Sequence, residues 1–215
     1  MSYLIASYPR SGSTYLRFII SNMIHPDQIH NFDSMNRIVP AIDDVNNIKE
    51  SNDNPLFYKT HSLRHGQNII YLHRHVGDVL ISEYWYKQKF HKDDVTMHEW
   101  LIQNKYGEFW RQSVNHYFPC KYQLSFKDIN NSVELGKLPY FSKRSQDEII
   151  EAISKSEFQK MQEVESEGFG IYPKGDEGIK FIRKGTSDQW KELDEQTQAR
   201  IIERNYTELK ILGYL

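Results

Sequence analysis

The chain has 215 residues, a length that suits one domain with a buried core. Its 27 basic and 29 acidic residues give a formal net charge of −2, which argues against general binding to nucleic acid or to a membrane surface. Cys120 is the only cysteine, so no intrachain disulfide can form, and a reducing, cytoplasmic location is favoured. We expect no membrane span, since no apolar stretch reaches about 18 residues, and no signal peptide.

Short apolar runs alternate with helical stripes along the chain. The pattern predicts strands over 3–7, 56–59, 68–72 and 121–126, and helices over 14–24, 78–90, 145–154 and 193–209. The polar residues 26–55 predict loop with short helical pieces, and the aromatic-rich stretch 84–118 either walls a pocket or packs in the core. Strands that alternate with helices indicate an α/β fold: a parallel sheet flanked by helices on both faces, in one domain over residues 1–215. Ligands of such sheets bind beyond the carboxyl ends of the strands.

The polar turn after the first predicted strand carries the residues that a phosphate-binding loop needs. Ser11, Gly12, Ser13 and Thr14 lie at the start of the next helix, and Arg10 comes directly before them. Backbone N–H groups at a helix N-terminus carry partial positive charge, Gly12 allows close approach, and Arg10 adds a full charge. The loop has one glycine and no lysine, so it is not a Walker A sequence. We predict that it holds a nucleotide 5′-phosphate.

Four collinear segments, spanning residues 3 to about 191, resemble the motifs of sulfotransferases. Residues 8–15, Tyr-Pro-Arg-Ser-Gly-Ser-Thr-Tyr, are similar to the family's 5′-phosphosulfate loop, usually Tyr-Pro-Lys-Ser-Gly-Thr-Thr-Trp. Residues 59–61, Lys-Thr-His, resemble its catalytic strand end, and Arg74 with Ser82 resembles its 3′-phosphate segment. Residues 181–185, Phe-Ile-Arg-Lys-Gly, resemble its late Arg-Lys-Gly loop. The resemblance implies a P-loop-like fold and the sulfuryl donor 3′-phosphoadenosine 5′-phosphosulfate (PAPS).

The resemblance also implies catalytic roles for three residues. His61 would be the general base that deprotonates the acceptor, and an ordinary imidazole pKa near 6.5 predicts a rate that rises with pH near neutrality. Lys59 and Arg10 would stabilise the negative charge that grows on the bridging oxygen. The family usually has Lys at the position of Arg10, and Arg is a poor proton donor, so we expect electrostatic rather than general-acid help from it.

The remaining predicted site residues bind the nucleotide. The 3′-phosphate group would be held by side chains and one backbone N–H, from Arg74, Ser82, Arg183, Lys184 and Gly185. The adenine end would be formed by Tyr15, Phe126, Ser156 and Phe158, with Phe181 at the start of the late loop. Tyr15 stands where the family has Trp, and Phe126 where it has Tyr. We expect no metal, since no Walker B carboxylate is evident and Asp43-Asp44 is interpreted as solvated.

Two other functions remain open from the sequence. A P-loop nucleotide kinase or phosphotransferase should show Gly-Lys-Ser/Thr, an acidic metal ligand and a Mg²⁺ requirement. A catalytically inactive nucleotide-binding module is the third reading, and the presence of Lys59 and His61 argues against it. The acceptor, a small molecule or glycan that offers a hydroxyl or amine, is not specified. The family's dimer motif is not matched after Trp190, so the oligomeric state also stays open.

Overall fold

A four-stranded parallel sheet forms the centre of the molecule in the computed structural model, which describes residues 2–43, 54–66, 68–92, 94–167 and 178–215. The strands are β1 (Tyr3–Ser7), β2 (Phe57–Thr60), β3 (Ile69–His73) and β4 (Tyr122–Ser125), in the spatial order β2-β1-β3-β4. The predicted parallel sheet is confirmed, and each strand lies within one residue of its predicted bounds. Of the predicted loop 26–55, residues 44–53 lie outside the described part of the chain.

The register brings the carboxyl ends of all four strands to one edge of the sheet. Ala6 pairs with Thr60, Ser7 pairs with Leu72, and His73 pairs with Ser125. The segments that follow these strands therefore meet beyond that edge. They are the polar turn after β1, His61 after β2, Arg74 after β3 and Phe126 after β4.

Helices cover both faces of the sheet. Their bounds are α1 (Ser13–Ile24), α2 (Phe32–Ile38), α3 (Val76–His91), α4 (Met97–Gln103), α5 (Glu108–Tyr117), α6 (Ser132–Gly136), α7 (Gln146–Lys155), α8 (Phe158–Glu167), α9 (Glu195–Arg204) and α10 (Tyr206–Ile211). Short 3₁₀ turns occupy Phe126–Asp128, Phe141–Lys143 and Gln189–Glu192. The sequence predicted α1, α3 and α7 closely and left α4, α5, α6 and α8 unassigned.

The side chains of each strand alternate between the two faces of the sheet, and this divides the core into two layers. Ile5 faces a layer built with α1, α6 and α7, whereas the next residue, Ala6, faces a layer built with α3, α5, α9 and α10. Successive strand side chains point to opposite faces, so a sheet that is buried on both faces reads as a continuous apolar run. The expectation of helices on both faces is confirmed.

The predicted helix over 193–209 is wrong in one respect, because the structure has two helices there. Asn205 separates α9 from α10 with a φ of −125° and a ψ of 18°. Its buried side-chain amide donates to the carbonyl oxygens of Ile201, at 2.7 Å, and Tyr106, at 2.8 Å. A side-chain amide that takes up backbone carbonyls replaces the helical hydrogen bonds there, and this ends the helix.

The aromatic stretch 84–118 both packs in the core and forms part of a cavity wall. Trp100, Trp110 and Tyr117 are buried in the core on the α3 side of the sheet or beside it. Tyr86 and Phe90, on α3, instead line the large cavity described next. The stretch is therefore divided between core and pocket wall.

Candidate active site

An uncapped helix N-terminus faces the carboxyl edge of the sheet. Gly12 is the N-cap residue of α1, with a φ of 103° and no side-chain cap. A Cβ atom there would lie 2.5 Å from the ring of Phe126, so only glycine fits. The fully buried hydroxyl of Ser11 has no hydrogen-bond partner within the described part of the chain. Unpaired donors around a helix N-terminus are suited to an anion such as a phosphate.

A cavity of about 730 Å³ opens at this helix end. It gathers most of the predicted site residues, and these are Arg10, Gly12, Ser13, Thr14, Tyr15, Lys59, His61, Arg74, Ser82, Phe126, Phe158, Phe181, Arg183, Lys184 and Gly185. Two predicted residues, Ser11 and Ser156, are fully buried and do not line it. Residues that are far apart in sequence are thus brought to a single cavity.

His61 is held with one ring nitrogen engaged and the other left to accept a proton. Its Nδ1 lies 2.8 Å from the carbonyl oxygen of Ser7. A carbonyl only accepts hydrogen bonds, so Nδ1 carries the hydrogen and Nε2 has the lone pair. Burial, then the nearby charge of Lys59, lowers the pKa of His61 to about 3. The imidazole is therefore neutral throughout the neutral pH range.

Lys59 lies on the same cavity wall, two residues before His61 on β2. Burial and the nearby guanidinium of Arg17 lower the pKa of its ammonium to about 7, against an opposing effect of Asp43. Asp43 accepts hydrogen bonds from Thr60 Oγ1 at 2.7 Å and from the His61 backbone N–H at 2.6 Å. The carboxylate fixes the backbone turn that presents the imidazole.

Arg10 connects the turn after β1 to α3 and to the late loop. Its Nε donates to Ser82 Oγ at 3.1 Å, and its Nη2 donates to the carbonyl oxygen of Phe181 at 3.0 Å. The guanidinium carbon lies 4.4 Å from the centre of the Phe181 ring and 5.1 Å from that of Tyr86. Burial lowers the pKa of Arg10 to about 10, so the group is still charged at neutral pH. Arg10 and Ser82, predicted for different phosphates, are in direct contact.

Arg74 is the buried centre of the predicted 3′-phosphate group. Its guanidinium donates to the backbone oxygens of Thr186 at 2.7 Å and Arg10 at 3.3 Å, and it stacks 4.3 Å from the Phe126 ring centre. Its Nε is 3.8 Å from an oxygen of Asp78 and makes no hydrogen bond among the described residues. Burial lowers the pKa of Arg74, yet a guanidinium keeps its proton in proteins. A buried cation with an unused donor fits a phosphate.

The late loop supplies the other side of this group. The Arg183 side chain donates to Gln189 Oε1, and burial lowers its pKa. Lys184 is exposed and pairs with Glu192 at 3.2 Å. Gly185 has a φ of 63°, and a Cβ atom on it would lie 2.5 Å from the Phe158 ring, so glycine is required at this contact.

The protein-family model for the sulfotransferase domain matches residues 2–210. The chain belongs to the sulfotransferase family. As a member of this family it is a PAPS-dependent sulfotransferase, and the kinase alternative is wrong. Across the described ranges, no group of three or more His, Cys, Asp or Glu side chains could hold a metal ion, and no helix is long and apolar enough to cross a membrane.

Named relatives resemble this sulfotransferase over most of its length. A 3-beta-hydroxysteroid sulfotransferase from Cavia porcellus is 26% identical, over 98% of this chain and 84% of the relative. Sulfotransferase 1 family member D1 from Mus musculus is 26% identical, over 94% of this chain and 81% of the relative. A retinol dehydratase solved with retinol and PAP has a TM-score of 0.74 at 18% identity, covering 97% of this chain and 81% of its own. The last similarity supports the predicted P-loop-like fold.

The predicted adenine end of the sulfotransferase cavity is only partly assembled as expected. Tyr15 and Phe158 both line the cavity, and the Tyr15 hydroxyl donates to Asn130 Oδ1. The Phe126 ring packs on Gly12 and on the Arg74 guanidinium. The Ser156 hydroxyl is fully buried, where it accepts from Asn22 and donates to the Ala152 carbonyl, each at 2.8 Å. A contact between Ser156 and adenine stays a prediction.

Several polar residues that organise the sulfotransferase site were not found from the sequence. Asp43 holds the turn at His61, although it was interpreted as solvated, and Asp44 lies outside the described residues. Asp78 accepts the backbone N–H groups of Asp188, at 2.9 Å, and Trp190, at 3.2 Å, and so ties the late loop to α3. Glu165 accepts the backbone N–H groups of Phe181 and Ile182 at the start of that loop. No motif marks these residues, since their partners lie far away in sequence.

Proposed function

We propose that this sulfotransferase moves a sulfuryl group from PAPS to an acceptor hydroxyl or amine, with His61 as the general base. The observation that carries the proposal is the single cavity that joins an uncapped helix N-terminus, a group of buried guanidinium ions and an imidazole with a free Nε2. The first two suit a doubly phosphorylated nucleotide, and the third suits proton abstraction at its reacting end.

The donor would lie along the carboxyl edge of the sheet. The backbone N–H groups of Ser13 and Thr14 would hold the 5′-phosphosulfate, and Arg74 and Arg183 would hold the 3′-phosphate. Tyr15 and Phe158 would flank the adenine. The uncapped N-terminus of α1 and the buried guanidinium of Arg74 support this fit. So does the retinol dehydratase structure, which was determined with PAP.

His61 would take the acceptor proton on Nε2 as the acceptor oxygen bonds to sulfur. The bond between sulfur and the 5′-phosphate oxygen breaks, and its electron pair stays on that oxygen. This new charge would be stabilised by Lys59, Arg10 and the N-terminus of α1. Fixed positive charges in a water-poor site are weakly screened, so their electrostatic attraction to a developing negative charge is strong. With a pKa of about 10, Arg10 is charged at neutral pH and can therefore act as a fixed cation.

The acceptor would be a small molecule with an apolar body. The cavity is also lined by apolar and aromatic side chains that suit rings or alkyl chains, namely Phe32, Met35, Tyr86, Phe90 and Phe181. The names of the relatives point the same way, since one acts on 3-beta-hydroxysteroids. We also propose a cytoplasmic location, which the lone cysteine supports. We further propose a single sulfotransferase domain over residues 1–215, which the family match over residues 2–210 supports.

Calorimetric titration with nucleotides tests the donor site directly. Adenosine 3′,5′-bisphosphate (PAP) should bind with the same affinity with and without a chelator, and AMP, which lacks the 3′-phosphate, should bind at least ~10-fold more weakly. Chromatographic detection of PAP formed from PAPS then tests turnover against a panel of hydroxyl and amine acceptors. Equal affinity for PAP and AMP, or a strict need for Mg²⁺, would contradict the proposal.

A further inference from the structure

A buried carboxylate outside the cavity binds the backbone of one cavity-lining segment. The side chain of Glu165, on α8, is only 8% exposed and does not line the cavity. One of its oxygens accepts the Phe181 N–H at 2.6 Å, and the other accepts the Ile182 N–H at 2.8 Å. Both carboxylate oxygens are thus used to hold two successive backbone N–H groups.

The second of these hydrogen bonds leads directly to Arg10. The Ile182 N–H and the Phe181 carbonyl belong to the same peptide group, and that carbonyl accepts from Arg10 at 3.0 Å. This one peptide group therefore links the Glu165 carboxylate, at its N–H, to the Arg10 guanidinium, at its carbonyl. A peptide whose N–H bonds to a carboxylate is polarised, which strengthens its carbonyl as an acceptor. The Phe181 ring, 4.4 Å from the guanidinium carbon, is fixed by the same contacts.

Glu165 is also tied to the helix that carries the other acceptor of Arg10. Lys89, on α3, has a side chain that is 4% exposed, and its Nζ lies 3.9 Å from Glu165. The same ammonium donates to the carbonyl of Ile179. Ser82, which accepts from Arg10 Nε, belongs to α3 as well. The pair of Lys89 and Glu165 therefore joins the two elements between which Arg10 is held.

We propose that Glu165 is a positioning residue for Arg10: through the Phe181–Ile182 peptide it sets where the guanidinium lies relative to the 5′-phosphate end of the donor. The inference rests on the proposed contact between Arg10 and that end. The neighbouring Arg183 has an independent anchor, because Gln162 donates to the Ile182 carbonyl at 2.7 Å. Loss of Glu165 should therefore affect the 5′-phosphate end more than the 3′-phosphate end.

Nucleotide affinities measured by calorimetry test this proposal without any knowledge of the acceptor. Glu165→Gln keeps the shape of the side chain but turns one N–H acceptor into an NH₂ donor. We expect ~10-fold weaker binding of AMP and PAP, and affinity for adenosine 3′-monophosphate within about twofold of the original. In the Arg10→Ala background, Glu165→Gln should add no further loss, since two residues that act through one contact are not additive.

A control variant and an alternative double variant accompany this test. Glu163→Gln, at an exposed position on the same helix, should leave all three affinities unchanged. If Glu165→Gln unfolds because the buried Lys89 ammonium loses its carboxylate neighbour, the double change Glu165→Gln with Lys89→Met removes both charges and is measured instead. Equal losses for AMP and the 3′-monophosphate, or the same loss with and without Arg10, would overturn the inference. Failure of the unchanged protein to bind PAP would instead overturn the proposed function.

Discussion

Burial lowers pKa values at both ends of the cavity but leaves different charge states there. At the donor end, defined by the α1 N-terminus with Arg74 and Arg183, burial lowers the pKa of the guanidinium groups, yet they stay charged. At the acceptor end, defined by Lys59 and His61, burial lowers the two pKa values to about 7 and about 3. The same loss of solvent therefore leaves permanent cations where phosphates should bind and a neutral base where a proton must be taken.

Removal of the base should have the largest effect and should act on one end alone. We expect His61→Asn to lower kcat by ~10²-fold or more, because the amide cannot accept the proton. The affinity for PAP, measured by calorimetry, should change by less than about threefold. His65→Asn, at an exposed histidine, is the matched control and should leave kcat unchanged. An active His61→Asn enzyme would mean that another group deprotonates the acceptor.

Arg10 directly precedes the phosphate-binding turn and contacts Ser82 and Phe181, so its substitution tests whether charge alone matters there. Arg10→Ala should lower kcat by ~10²-fold, since the developing phosphate charge loses a fixed cation. Arg10→Lys should keep much of the activity. The lysine ammonium lacks the planar guanidinium geometry that lets Arg10 donate to both the Ser82 hydroxyl and the Phe181 carbonyl. Initial rates at saturating PAPS give the comparison. Unchanged rates in Arg10→Ala would show that the residue only shapes the turn.

The main residues of both cavity ends could be predicted from the sequence, because they follow predicted strands or begin a predicted helix. Gly12 marks the start of α1 and the anion loop, and the apolar runs locate the strands that bring Arg74 and His61 to one edge. The carboxylates that support these residues could not be predicted. Asp43 and Glu165 act on backbone N–H groups that are 16 to 18 residues away, and acidic residues in polar stretches give no periodic signal. The break at Asn205 could not be predicted either, because its side-chain amide binds the carbonyl of Tyr106, far away in sequence.

The pH profile distinguishes a buried base from an ordinary one. With a His61 pKa of about 3, the imidazole is already neutral above pH 5, so the rise near neutrality that its ordinary pKa predicts should be absent. Lys59, with a pKa of about 7, loses its charge as the pH rises, and kcat/KM for PAPS should fall by about tenfold between pH 6 and 8. Lys59→Arg stays charged and should abolish this fall. A fall that persists in Lys59→Arg would assign it to another group.

The smallest expected effect contrasts a helix start away from the cavity with the one inside it. Ser145 caps α7 through a hydrogen bond from the Glu148 backbone N–H at 3.2 Å, whereas α1 begins at Gly12 with no side-chain cap. Ser145→Ala should cost about 1 kcal/mol of the free energy of unfolding, measured by urea denaturation, because a helix N–H loses its acceptor. Neither kcat nor the affinity for PAP should change. A change in PAP affinity would mean that α7, which packs on the same core layer as α1, transmits strain to the phosphate site, and that the two helix starts are not independent.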